Sequence, residues 1–140
     1  MVFPAGRYLT GSVRLKSRVT LHLEKGATLL GSTDLSHYQR LNFLALVMAN
    51  QQHDIGITGE GVIDGQGKVI AESVIGPIKP GSFPDAGETK RPVILNFRNC
   101  RDVTLKDITL RESACWVQLY RDCDRVLIEN IKVRTLAAIT

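Results

Sequence analysis

Cys100-Arg101-Asp102-Val103-Thr104-Leu105, with Ile108 and Leu110 after it, returns as Cys123-Asp124-Arg125-Val126-Leu127-Ile128, with Ile131 and Val133 after it. Every matched apolar position lies 23 residues from its counterpart. A period in the twenties with apolar residues on alternate positions is the mark of a stacked solenoid. The period alone allows a leucine-rich repeat or a parallel β-helix. A leucine-rich repeat keeps a fixed leucine ladder and a turn Asn or Cys, whereas here Val, Ile and Leu substitute freely at the matched sites. The β-helix reading places Val103, Leu105, Ile108 and Leu110 in the bore of one coil. Val126, Ile128, Ile131 and Val133 then sit above them in the next, roughly 4.8 Å away.

Working backwards, Asp54-Ile55-Gly56-Ile57 carries the same pattern 48 residues before Val103 and Leu105, one period plus a loop. Before it come short strand units: Tyr8-Leu9, Val13 to Leu15, Val19 to Leu23 with a polar corner at Lys16-Ser17-Arg18, and Ala27 to Gly31. Two stretches break the rhythm and are expected as surface insertions, one near 33–50 and one near 68–90. The first contains a buried strand at Phe43 to Ala49. The second, with Pro77, Pro80, Gly81, Pro84 and Gly87, is rich in turn residues and is expected on the surface without helix. The whole chain is one partial β-helix domain, residues 1–140, of about four to five coils.

Composition agrees with an ordered chain: 44% of residues are hydrophobic and 23% charged. The formal charge of +4 comes from cations scattered singly, which argues against a nucleic-acid partner because phosphate tracks need clustered cations. An acidic polymer as partner and a merely solvated surface both stay open. The N-terminus has neither the basic region nor the apolar run of a signal peptide, and no stretch is apolar enough for a membrane helix. Cys100 and Cys123 occupy one repeat position and are expected as stacked reduced thiols, a disulfide being geometrically feasible. Cys100, Cys115 and Cys123 match no zinc or redox spacing.

Candidate site residues are few. Gly59, Gly61, Gly65 and Gly67 lack the spacing of a nucleotide loop and read as turns between short strands. Asp64, in an Asp-Gly pair, reads as a turn residue. Asp102 and Asp124, beside Arg101 and Arg125, read as solvated corners, and no two carboxylates show themselves as an acid and base pair. His22, His37 and His53 form no metal-binding pattern. Trp116, the single tryptophan, is either a platform for a sugar ring or an apolar plug at a bend.

Four stretches together resemble the family 28 glycoside hydrolases, the polygalacturonase-like enzymes. They are Phe3-Pro4-Ala5-Gly6-x-Tyr8-x-Thr10-Gly11; Leu21-x-Leu23-x-x-Gly26-Ala27-x-Leu29; Ile57-Thr58-Gly59-x-Gly61-x-Ile63-Asp64-Gly65-x-Gly67; and Arg91-Pro92, Cys100-x-x-Val103 and Ser113-x-x-Trp116. The resemblance implies a right-handed parallel β-helix of the pectin-lyase-like kind. It also implies inverting hydrolysis of a pectic or other acidic polysaccharide, with no metal or organic cofactor, in a family usually secreted or periplasmic. In that chemistry one carboxylic acid protonates the leaving oxygen and a second carboxylate activates water. Basic groove residues would pair with uronate carboxylates.

Lys68-Val69-Ile70 stands where the family usually has aromatic residues, and Ala114 where proline is common, which puts the exact substrate in question. The family's hydrolytic signatures, Asn-x-Asp, an Asp pair, Gly-His-Gly and Arg-x-Lys, arrive in coils after Ser-x-x-Trp, so none maps onto this chain. The chain is therefore expected to be an N-terminal portion that is inactive alone, with Trp116, Ser113 and Glu112 as groove-lining, substrate-binding residues. A catalytically silent β-helix module that binds carbohydrate or assembles with another chain is the competing expectation. A calcium-dependent lyase would need clustered carboxylates that the sequence does not show. The strands from Ile128 to Val133 and Leu136 to Ile139 are expected to leave a bare end and to drive self-association.

Overall fold

The computed structural model describes residues 1–75 and 90–134. The chain winds through three faces in a fixed order, coil after coil. The first coil is β1 (Val2–Phe3), β2 (Gly6–Thr10) and β3 (Val13–Arg14); the second is β4 (Thr20–Leu23), β5 (Ala27–Gly31), a 3-10 turn at Leu35–His37, β6 (Gln39–Leu41) and β7 (Phe43–Asn50). The third is β8 (His53–Thr58), β9 (Val62–Asp64), helix α1 (Gly67–Ile75) and β10 (Val93–Arg98). The fourth is β11 (Arg101–Lys106), β12 (Thr109–Arg111) and β13 (Gln118–Arg121), and the fifth begins with β14 (Asp124–Glu129) and β15 (Lys132–Arg134). Strands equivalent in successive coils pair in parallel, giving the ladders β1-β4-β8-β11-β14, β2-β5-β9-β12-β15 and β3-β7-β10-β13. This is a parallel β-helix.

The repeat fixes the register. Val103 pairs with Ile55 below and Val126 above, and Leu105 with Ile57 and Ile128. Because side chains alternate across a strand, matching these positions sends Ile55, Ile57, Val103 and Leu105 into the bore, where all are buried. Ile108 and Leu110 on the next face, and Leu95 and Phe97 on the third, complete the same core.

Corners stack as faithfully as strands. Gln51, Asn99 and Asp122 share φ near +55°, as do Asp54, Asp102 and Arg125, so each corner turns through a left-handed residue at a fixed point of the coil. At the corner of Asp107 (φ 68) and Asn130 (φ 53) the third coil has Gly59. A β-carbon on Gly59 would lie 2.1 Å from the Leu23 carbonyl oxygen, so glycine is required there.

Both excursions differ from expectation. Within 33–50, Phe43–Asn50 is itself a rung, paired in parallel with β3 and β10, so the departure narrows to the turn at 35–37 and the antiparallel strand β6. Its run of apolar residues lacks alternation because both faces are covered: Leu46 and Val47 face the bore, while Ala45 and Met48 lie under Leu41, Phe43 and Leu119. In the second excursion, the helix-free surface loop is corrected by α1, whose Ile70 and Ala71 are fully buried. Pro77, Pro80, Gly81, Pro84, Gly87 and the segment from Leu136 to Ile139 lie outside the described residues.

Candidate functional site

Two sequence features shape the outer face of the β3-β7-β10-β13 sheet. Asn42 (φ 64) makes a tight bend between β6 and β7, a conformation that Asn tolerates. The Asn96 side-chain amide donates to the Leu41 carbonyl at 2.7 Å and pins this hairpin to β10. Phe43 is thereby set at the start of β7. One coil further on, the Ser113 hydroxyl donates to the Trp116 carbonyl at 3.0 Å and accepts from the Cys115 amide at 3.4 Å, closing the corner that presents Trp116. Arg91 secures the corner from below, donating from Nη1 to the Ala114 carbonyl at 2.7 Å. Trp116 then lies against Phe43, ring centres 5.2 Å apart and planes at 48°, with 49% of the residue exposed.

The aromatic pair walls a groove whose other lining residues are Asn96, Arg98, Leu119, Tyr120 and Arg121. Tyr120 and Phe97 face the bore, ring centres 5.7 Å apart, so the residues flanking them in each strand, Asn96 and Leu119, Arg98 and Arg121, face outward. Burial pushes the Tyr120 hydroxyl well above the usual phenol range, which keeps it neutral, and it donates to Gln118 Oε1 at 2.8 Å. No carboxylate lines this groove among the described residues.

The three residues singled out from the sequence are not brought to one surface. Trp116 lines the aromatic groove. Ser113 is buried, and its hydroxyl is committed to the corner. Glu112 (φ 55) lines a different cleft, with Asp64, Gln66, Lys68, Val69 and Arg111. Asp64 does more than turn the chain. Its Oδ1 accepts from the Gln66 amide at 2.8 Å, as a turn aspartate should, while its Oδ2 accepts from Arg111 Nε and Nη2, both at 2.9 Å. Gly67 donates its amide to the Glu112 carbonyl at 2.7 Å, and a β-carbon there would lie 2.3 Å from the Ser113 carbonyl carbon. The Asp-Gly-Gln-Gly stretch thus clamps the third coil to the corner of the fourth.

Asp102 meets Arg125 in a two-point pair, Nε to Oδ1 at 2.6 Å and Nη2 to Oδ2 at 2.9 Å, and these hydrogen bonds hold its carboxyl below the usual range. The histidines are engaged locally: His22 with Thr58, His37 with Ser32 and Asp34, and His53 with Asp54. Cys100 and Cys123 are free thiols, Cys100 buried, with Cys123 reaching back to the Phe97 carbonyl of the coil below.

With the groove described, comparison with known proteins decides the family. The profile of "Glycosyl hydrolases family 28" matches residues 1–138. The chain belongs to this family. A probable polygalacturonase of Vitis vinifera is 30% identical over 131 residues, covering 81% of this chain and 25% of the relative. A candidate glycosyl hydrolase from Parabacteroides merdae superposes with a TM-score of 0.84 at 32% identity, over 95% of this chain and 58% of that one. The family 28 exopolygalacturonase of Yersinia enterocolitica superposes with a TM-score of 0.77 at 24% identity, over 98% and 33%. The chain thus spans between a quarter and three-fifths of these relatives.

Proposed function

We propose that this chain is the N-terminal portion of a polygalacturonase-like hydrolase, cleaving galacturonosyl linkages of a pectic polysaccharide with inversion, and that it supplies the sugar-holding surface while the hydrolytic carboxylates lie outside it. The observation that supports this most is the half-exposed Trp116 braced on Phe43 above a groove. An amphipathic ring held rigidly at a surface stacks on a sugar face at little entropic cost. Ser113 and Arg91 act through this ring as positioning residues.

Inverting hydrolysis needs a protonated acid and a carboxylate base about 6.5–9.5 Å apart across the scissile bond. Among the described residues no carboxylate lines the groove, and Asp64 is engaged by Arg111, Asp102 by Arg125, Asp54 by His53 and Asp34 by Ser36. The purified chain should therefore release no reducing ends from polygalacturonate; robust release would overturn the assignment of catalysis to residues beyond it.

A module that assembles with another chain is the second reading, favoured by one observation. The bore positions Ile128 and Val133 are 43% and 46% exposed on the last described coil. We propose that this face associates with a second copy, which makes sedimentation concentration-dependent. A monomer at all concentrations would remove that reading.

A further inference from the structure

We propose that Cys100 and Cys123 form a redox modification site, which a small disulfide such as glutathione disulfide converts to a bond stapling the fifth coil to the fourth. The two residues hold one position in successive coils: Arg101 pairs with Asp124, and the Asp124 amide donates to the Cys100 carbonyl at 2.9 Å. Each follows a left-handed corner residue, Asn99 (φ 53) or Asp122 (φ 55), so both side chains leave the backbone in the same direction. Their thiols converge on adjacent carbonyls of β10. Cys100 donates to that of Arg98 at 3.2 Å, and Cys123, from the coil above, to that of Phe97 at 3.4 Å. The two sulfurs also interact with each other, by hydrogen bond and by charge. Cys115 packs elsewhere, against Ala45, Met48 and Val93.

One rung is roughly 4.8 Å, inside the range of Cα separations that a disulfide spans. Parallel side chains keep about that separation at their β-carbons, slightly more than a relaxed disulfide has there. One coil must therefore yield a little. The fifth can, because its bore residues Ile128 and Val133 are exposed, while Leu105 and Leu110 beneath them are fully buried.

Access sets the order of the steps. Cys100 is buried, and burial pushes its thiol up. Cys123 is partly exposed, beside a cleft lined by Gln52, His53, Asn99, Cys100, Asp122 and Asp124. The Cys123 thiol loses its proton to solvent, and its thiolate attacks one sulfur of the oxidant. The S–S bond of the oxidant breaks and a glutathione thiolate leaves with the electron pair. Cys100, deprotonated in turn, attacks the Cys123 sulfur and expels the second glutathione thiolate; both leaving thiolates take up protons. Two protein thiols become one disulfide, and one glutathione disulfide becomes two thiols. The new bond closes a whole coil into a ring and holds the fifth coil on its neighbour.

The test is to incubate the reduced, native 140-residue chain with glutathione disulfide, alkylate it and digest it with trypsin. Cleavage after Arg98, Arg101, Arg111, Arg121 and Arg125 puts the cysteines on separate peptides, 99–101, 112–121 and 122–125. Peptides 99–101 and 122–125 should appear joined, with Cys115 alkylated. Oxidation should raise the unfolding temperature by about 10 °C, the scale of a disulfide that closes a loop of this size. Cys100→Ser should halt the reaction with glutathione held on Cys123. Cys123→Ser should leave unfolding insensitive to the oxidant. A glutathione adduct that persists on the wild-type chain, a bond to Cys115 or between chains, or cysteines that all remain alkylatable overturns the site. Equal unfolding temperatures of the joined and reduced chains overturn the staple. The wild-type peptide map decides the linkage even if either variant fails to fold.

Discussion

The fourth and fifth coils carry aliphatic side chains at the same register and differ in what covers them. Leu105 and Leu110 are fully buried, whereas Ile128 and Val133, their partners one rung on, are 43% and 46% exposed. Residue type cannot be the cause. In a solenoid a coil's bore residues are removed from water by the next coil as much as by their own. The fourth coil is therefore a core and the fifth an edge, although the two repeats read alike.

The largest expected effect breaks this comparison by mutation. Leu105→Ala should cost about 2–5 kcal/mol, the range for emptying a packed core site, and Ile128→Ala less than about 1 kcal/mol, both read from denaturant midpoints. Equal losses would mean that the fifth coil is covered in solution. Next, Asp64→Ala should cost about 2 kcal/mol, because it strips the partner from Arg111 and an acceptor from the Gln66 amide. The same denaturant series checks it.

Smaller again, Ile128→Lys should shift the chain toward monomer in sedimentation velocity, by placing charge on the face proposed to self-associate. The smallest effect concerns pH. The Asp102 carboxyl is held below its ordinary range by Arg125, so its contribution to stability is present above that range and is lost as pH falls through the lowered value. Both groups are exposed, so the contribution is small and screened by salt. Arg125→Gln should raise the Asp102 titration midpoint, followed by carboxyl NMR, with little change in thermal unfolding.

What was legible in the sequence follows from the same physics. The 23-residue and 48-residue offsets gave the register outright, because stacked coils place equivalent residues on one another and only a matched apolar pattern fills the bore. The rung at Phe43–Asn50 looked like an insertion because a strand covered on both faces loses its alternation. Helix α1 was missed because it begins at a glycine and runs only nine residues. The Asp64–Arg111 pair joins residues 47 apart on neighbouring coils, and the Asp-Gly turn signal is itself correct, so nothing local hinted at the second role. Trp116 stood out as the single tryptophan. Its groove did not, since Phe43, Arg98 and Arg121 come from three coils and converge only through the ladder of β7, β10 and β13.

That ladder also makes the functional account directly measurable. Trp116 is the chain's single tryptophan, so its emission reports on the groove without labelling. Titration with trigalacturonate should give a saturable change in Trp116 emission that Phe43→Ala diminishes. Emission that stays flat up to millimolar trigalacturonate would contradict the placement of the sugar-holding surface on this face.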